Sequence, residues 1–146
     1  MIDRLSEQVK DAMRAGDSTR RDTLRLLVNA LQQAEKAAQA PLDEEATIQV
    51  LKRERKRRVE AAEAFRSAGA DDRAAAEEAE AGIIDGFLPA ELDDAALEAI
   101  VREAVAATGA TSPKQMGIVM REAMQATGGR ADGKRVQVLV RAALGG

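Results

Sequence analysis

Cationic side chains are the residues of this chain with the clearest chemical potential, and they fall in two places. One is a run in the first half, Lys52-Arg53-Glu54-Arg55-Lys56-Arg57-Arg58. The other set is spread along the C-terminal third, at Lys114, Arg121, Arg130, Lys134 and Arg135. Clustered lysine and arginine side chains bind phosphate groups, above all those of a nucleic-acid backbone. Both places are therefore candidate RNA-binding sites.

Helical geometry divides the basic run into two groups. Because successive residues of an α-helix are about 100° apart, neighbouring cations point all round the helix. Arg55 and Arg58 continue an apolar series that includes Leu51 and Phe65, so we expect both to face neighbouring helices. There they need acidic partners, for which Glu35, Glu77 and Glu80 are the candidates.

The remaining cations of the run occupy other faces of the same helix. For Arg53, Lys56 and Arg57, a solvated surface and an RNA contact are equally open interpretations. Charged helix faces are common, so the cations alone do not decide between the two.

A glycine-rich loop, Gly128 to Lys134, has the spacing of a nucleotide-binding P-loop. Arg135 stands where such a loop has a magnesium-binding Ser or Thr, Asp132 adds a negative charge, and no strand pattern precedes it. We therefore predict a helix end followed by a helix capped by Asp132, without ATP. A single RNA phosphate at that helix start, held by Arg130, Lys134 and Arg135, remains open.

The side-chain inventory restricts catalysis. The chain has no His and no Cys, which excludes Ser-His and Cys-His nucleophiles and disfavours zinc. Glu77, Glu78 and Glu80 are interpreted as a solvated or ion-paired face. We predict no catalytic residue, no metal site and no cofactor.

Composition also bears on RNA binding. Two Phe are the only aromatic side chains, which counts against RNA-binding modules that stack bases on aromatic rings. The net charge is -3, which counts against a basic field over the whole protein.

The elements that position these residues are all helical. Apolar residues recur at helical spacing throughout, and Gly16, Pro41, Gly69, Pro89, Gly109 and Gly128 mark the breaks. The predicted class is all-α, with an N-terminal domain of about four helices over residues 1–89 and a three-helix bundle over residues 90–146. Expected N-caps are Asp17 or Ser18, Asp71 or Asp72, Asp93 or Asp94, Ser112 and Asp132, and the third helix is expected to run from about Asp43 to Ala68.

Two further features bear on partners and location. Met116, Met120 and Met124 lie on one helix face and are interpreted as core, with an adaptable groove for a partner helix as the alternative. The chain lacks an apolar run of transmembrane length and a signal-peptide pattern, so we expect a cytoplasmic protein that is not in the membrane.

Ordered sequence fragments along nearly the whole chain resemble the YqeY-like family. They are Thr23-Leu24-Arg25, Arg53-Glu54, Phe87-Leu88-Pro89, Gly109-Ala110-Thr111-Ser112, Met116-Gly117, and Gly129-Arg130-Ala131-Asp132-Gly133. The C-terminal half is also similar to the tail domain of the B subunit of tRNA-dependent amidotransferases. That resemblance implies an all-helical protein that associates with tRNA or other RNA, or with the aminoacylation or amidotransferase machinery.

Three functions follow as hypotheses. The first is a non-catalytic accessory protein that binds RNA or tRNA through the cations named above. The second is a helical protein–protein interaction module. The third, implied only by the family label, is a carbon–nitrogen ligase with glutamine as amide donor, for which we identify no catalytic residues.

Overall fold

The computed structural model describes residues 1–145, and every regular element within them is a helix, which confirms the all-α prediction. A 3-10 turn, Pro113–Gln115, leads directly into the sixth of seven α-helices. The helices are α1 Ile2–Ala15, α2 Ser18–Ala38, α3 Glu44–Ser67, α4 Asp71–Asp85, α5 Asp94–Thr108, α6 Met116–Thr127 and α7 Gly133–Ala143.

Short polar side chains start several helices, and Asp17 and Asp93 do so as the sequence predicts. The carboxylates of Asp17, Asp43 and Asp93 each accept a hydrogen bond from the backbone N–H three residues later, at 3.0, 2.8 and 2.8 Å. Each satisfies a donor that a helix start otherwise leaves unpaired. The cap of α4 was predicted wrongly, because Asp71 is the first helical residue and Ala70 takes the cap position.

The chain separates into two compact units, Met1–Leu88 and Pro89–Gly146. The first has a core built around Leu5, Leu24, Leu27, Leu51 and Ile84. The second has its own core, with Leu97, Val101, Val119, Val136 and Val140 at its centre. Two separate apolar clusters favour two independent domains, and this division stays a prediction.

In the first unit, arginines of α3 pair with carboxylates of α4. Arg58 lies between two carboxylates: its Nη1 donates to Glu54 at 3.1 Å, and its Nε lies 3.2 Å from Glu80, without hydrogen-bond geometry. The Arg58 and Glu54 side chains are only 13% and 12% exposed. Of the three carboxylates considered as partners, Glu80 is the one that lies beside Arg58.

Two further pairs link the same helices. Arg66 Nη1 donates to Glu78 at 2.6 Å, and this hydrogen bond raises the pKa of the Arg66 guanidinium. Arg55 pairs with Asp85, so the acidic partner predicted for it was wrong. Its side chain is also 43% exposed, because it reaches the end of α4 rather than the buried seam.

Candidate nucleic-acid interface

The second unit has no net charge, but its positive and negative side chains are concentrated in different segments of the sequence. Residues 89–112, which contain α5, carry one cation and five carboxylates. Residues 113–145, which contain α6 and α7, carry six cations and two carboxylates. After Asp132 the described chain has no further acidic residue. The helices α6 and α7 are therefore the cationic part of this unit, which sequence analysis by domain totals missed.

Arg135 and Arg130 form hydrogen bonds within the second unit. Arg135 Nη2 donates to the backbone carbonyl of Leu92 at 3.0 Å and to the Asp94 carboxylate at 2.9 Å. The Leu92 N–H in turn donates to the carbonyl of Arg130 at 2.8 Å. The backbone of Leu92 is thus held from both sides, and the segment before α5 is fixed to the loop between α6 and α7.

The glycine-rich loop joins the glycine-terminated end of α6 to the start of α7, which Asp132 caps, as the sequence predicts. Gly128 and Gly129 have φ of 56° and 79°, the left-handed region that glycine tolerates without strain. Arg130 Nε donates to the carbonyl of Thr127 at the end of α6, at 2.9 Å. The carboxylate of Asp132 accepts from the Lys134 N–H at 3.2 Å. The chain's own carboxylate therefore occupies the helix start at which a single phosphate was hypothesised.

The chain matches one family model, described as YqeY-like protein, over residues 2–144. It belongs to the YqeY-like family. No curated protein matches it. In this YqeY-like chain, the fragment Gly129-Arg130-Ala131-Asp132-Gly133 that carried the resemblance is the loop that caps two helices and holds Leu92. A structural role accounts for much of this signature.

Four cations of the α6–α7 part are exposed and take part in none of the ion pairs among the described residues. They are Lys114, Arg121, Lys134 and Arg141. Arg121 is about 200° around α6 from the buried Val119, so it points away from the core. Lys134 and Arg141 are seven residues apart and share one face of α7. We call these four exposed residues, which lie on the 3-10 turn, on α6 and on α7, the cationic face.

Arg141 was not among the residues predicted from the sequence. It lies in the last turn of α7 and stands alone in the sequence, where it reads as a favourable partner of the helix dipole. The signal that identifies it is the lack of carboxylates on α7, not any motif.

On α3, most of the candidate cations have acidic partners, unlike the four residues of the cationic face. Arg57 Nη1 donates to Glu54 at 3.1 Å, and Lys56 Nζ lies 3.8 Å from Glu60. Arg53 is exposed and belongs to none of the ion pairs of the described residues, but it lines an apolar groove. The structure thus separates Arg53 from the other two candidates on this helix.

Apolar side chains accompany the cationic face. Ile118 on α6 is 57% exposed and Val138 on α7 is 66% exposed. Met116, Met120 and Met124 are half-buried and pack against the core of the second unit, in line with the core interpretation.

Carboxylates do not gather into a metal centre in the described part of the chain. Glu78 and Glu80 pair with Arg66 and Arg58, as an ion-paired helix face requires. Across residues 1–145 the structure has no helix with the length and apolarity needed to cross a lipid bilayer.

Proposed function

We propose that this YqeY-like protein binds the phosphate backbone of RNA, with tRNA as the preferred class, through the cationic face of its second unit. The supporting observation is that Lys114, Arg121, Lys134 and Arg141 are exposed and are left out of the ion pairs described for the unit. When surface cations neutralise RNA phosphates, the counterions condensed on the RNA are released, and this release favours binding.

The charge separation within the unit supports the same proposal. The carboxylates of α5 repel phosphates, and the cations of the α6–α7 part attract them. Arg135 is assigned to holding Leu92 rather than to RNA, since its guanidinium already bonds Leu92 and Asp94. The resemblance to the tail domain of the amidotransferase B subunit favours tRNA among RNAs.

The test is fluorescence anisotropy of labelled total tRNA with the purified full chain over a range of salt concentrations. Affinity is expected to fall as salt rises, by roughly 0.7–0.9 log units per decade of salt for each neutralised phosphate. The double variant R121E/K134E should bind tRNA more weakly. Its log affinity should also fall less steeply with log salt concentration, by the amount that about two phosphate contacts contribute.

The matched control is the double variant K10E/R14E, which makes the same charge change on two exposed cations of α1. We expect it to retain nearly full affinity, because α1 is outside the cationic face. The proposal fails if tRNA shows no binding at low salt, or if both double variants lose affinity equally.

A further inference from the structure

An apolar groove lies in the first unit, where the C-terminal part of α2 and the N-terminal half of α3 meet. It is a shallow groove, open to solvent, with a volume of about 520 Å³. Its lining includes Ala34, Ala37, Ala38, Leu42, Ala46 and Val50, with Arg53 also along it. The groove is separate from the cationic face, which belongs to the other unit.

The hollow follows from the small side chains on both helices. Alanine ends at Cβ, so four alanines leave space between α2 and α3 that longer side chains would fill. Val50 is buried beneath this space, and Leu42 is half-buried at one side. The exposed alanines keep apolar surface in contact with water, which a partner with apolar side chains would remove.

Arg53 gives the groove its charge. It is the one charged side chain among the described lining residues, and none of the ion pairs of residues 1–145 involves it. A carboxylate that approached it would gain an ion pair without displacing an existing partner. Arg57, one turn further along α3, has Glu54 as its partner at 3.1 Å.

We propose that this groove binds an amphipathic helix of a partner protein that presents an apolar ridge and, beside it, an acidic residue for Arg53. A helix laid in a groove uses apolar anchors at i, i+3, i+4 and i+7, which suits an alanine-lined channel between two helices. RNA fits less well, because a phosphate backbone needs several free cations and makes no use of an apolar channel. The protein then has two separate binding surfaces, one for each unit.

The experiment uses the full chain and two synthetic helical peptides of about 16 residues, roughly four turns. Both carry the same leucine face, and they differ only at the flanking positions, with Glu in one and Lys in the other. Calorimetry measures affinity, and amide chemical shifts locate the contact. The Glu peptide should bind about tenfold more tightly than the Lys peptide, and its shifts should lie in residues 34–53.

Two variants complete the test. R53E should reverse the preference, so that the Lys peptide binds more tightly, whereas R14E, the same charge change on α1, should leave it unchanged. A37L, which fills the groove on an exposed helical position, should abolish binding with the helical circular dichroism retained. Equal affinity for the two peptides, an unchanged preference in R53E, peptide shifts in the second unit, or tRNA shifts at residues 34–53 would each overturn the proposal.

Discussion

The hydroxyl groups of two buried threonines, Thr23 and Thr127, are treated differently by the fold. Both side chains are almost fully buried, at 1% and 0% exposed. Thr127 Oγ1 donates to the carbonyl of Met124 at 2.8 Å, whereas Thr23 Oγ1 has no hydrogen-bond partner among the described residues. A buried hydroxyl without a partner loses its hydration and gains nothing in return.

We therefore expect Thr23→Val to stabilise the protein by about 1 kcal/mol and Thr127→Val to destabilise it by a similar amount. Valine has nearly the same shape, so the comparison isolates the hydroxyl. Thermal and urea unfolding of the two variants measure the effect. A loss of stability in the Thr23 variant as large as that in the Thr127 variant would show that the Thr23 hydroxyl has a partner.

Adjacent cations at the start of α7 have opposite roles. Arg135 bonds the carbonyl of Leu92, and Lys134 is exposed on the cationic face. We expect Arg135→Gln to speed hydrogen exchange at the Leu92 amide and to lower stability by about 1–2 kcal/mol, with tRNA affinity nearly unchanged. Lys134→Gln should weaken tRNA binding and leave both the stability and the exchange rate of the Leu92 amide nearly unchanged. If Arg135→Gln weakens tRNA binding as much as Lys134→Gln does, Arg135 is part of the RNA contact after all.

At the scale of the helices, ion pairs accompany the apolar contacts of the α3–α4 pair. Leu51 and Ile84 belong to the core, whereas other buried residues of these helices are small, namely Ala62, Ala74 and Ala81. Arg58 therefore contributes both packing through its methylene stem and charge between Glu54 and Glu80. Removing one member of a buried ion pair leaves the other charge uncompensated, at a cost of about 3–5 kcal/mol.

Charge reversal separates Arg58 from its neighbour. We expect Arg58→Glu to lower the melting temperature by at least about 10 °C, since it places three carboxylates together. Arg57→Glu should change it by only a few degrees, because Arg57 is 70% exposed. Differential scanning calorimetry measures both. Equal melting temperatures for the two variants would refute the structural role of Arg58.

Helix positions and most helix ends could be predicted from the sequence because their causes are local. Asp43, Asp93 and Asp132 cap the helices that follow them, and Gly109 and Gly128 end helices in the left-handed conformation.

The partners of charged side chains were harder to predict, because they depend on how the helices align. The partner of Arg58 was among three carboxylates considered, but Arg55 reached Asp85, at the far end of α4. The hydrogen bond from Arg135 to Leu92 joins positions 43 residues apart, and no local pattern marks it.

At the scale of the whole molecule, the boundary at Leu88–Pro89 predicts two independent folding units. Single domains of 55–65 residues commonly fold alone, and the second unit is close to that size. We expect the fragments 1–88 and 89–146 each to give dispersed amide spectra that match their counterparts in the full chain. Fragment 89–146 should also retain the tRNA affinity.

A cut within the first unit is the control for this prediction. Leu24, Leu27 and Leu31 of α2 share one core with Leu51 of α3 and Ile84 of α4. Fragments 1–40 and 41–88 should therefore be largely unfolded when separate, because each exposes half of that core. An unfolded 89–146 fragment would show that the second unit needs the first for its stability.

Both aromatic rings belong to the first unit, where Arg4 lies 5.2 Å from the centre of the Phe87 ring and Arg73 lies 5.8 Å from that of Phe65. The protein has no Trp and no Tyr, so it is nearly transparent near 280 nm. Absorbance of a purified sample near 280 nm therefore reports co-purified nucleotides directly. A single tryptophan placed at Val138 would be the only strongly fluorescent side chain and would report on the cationic face.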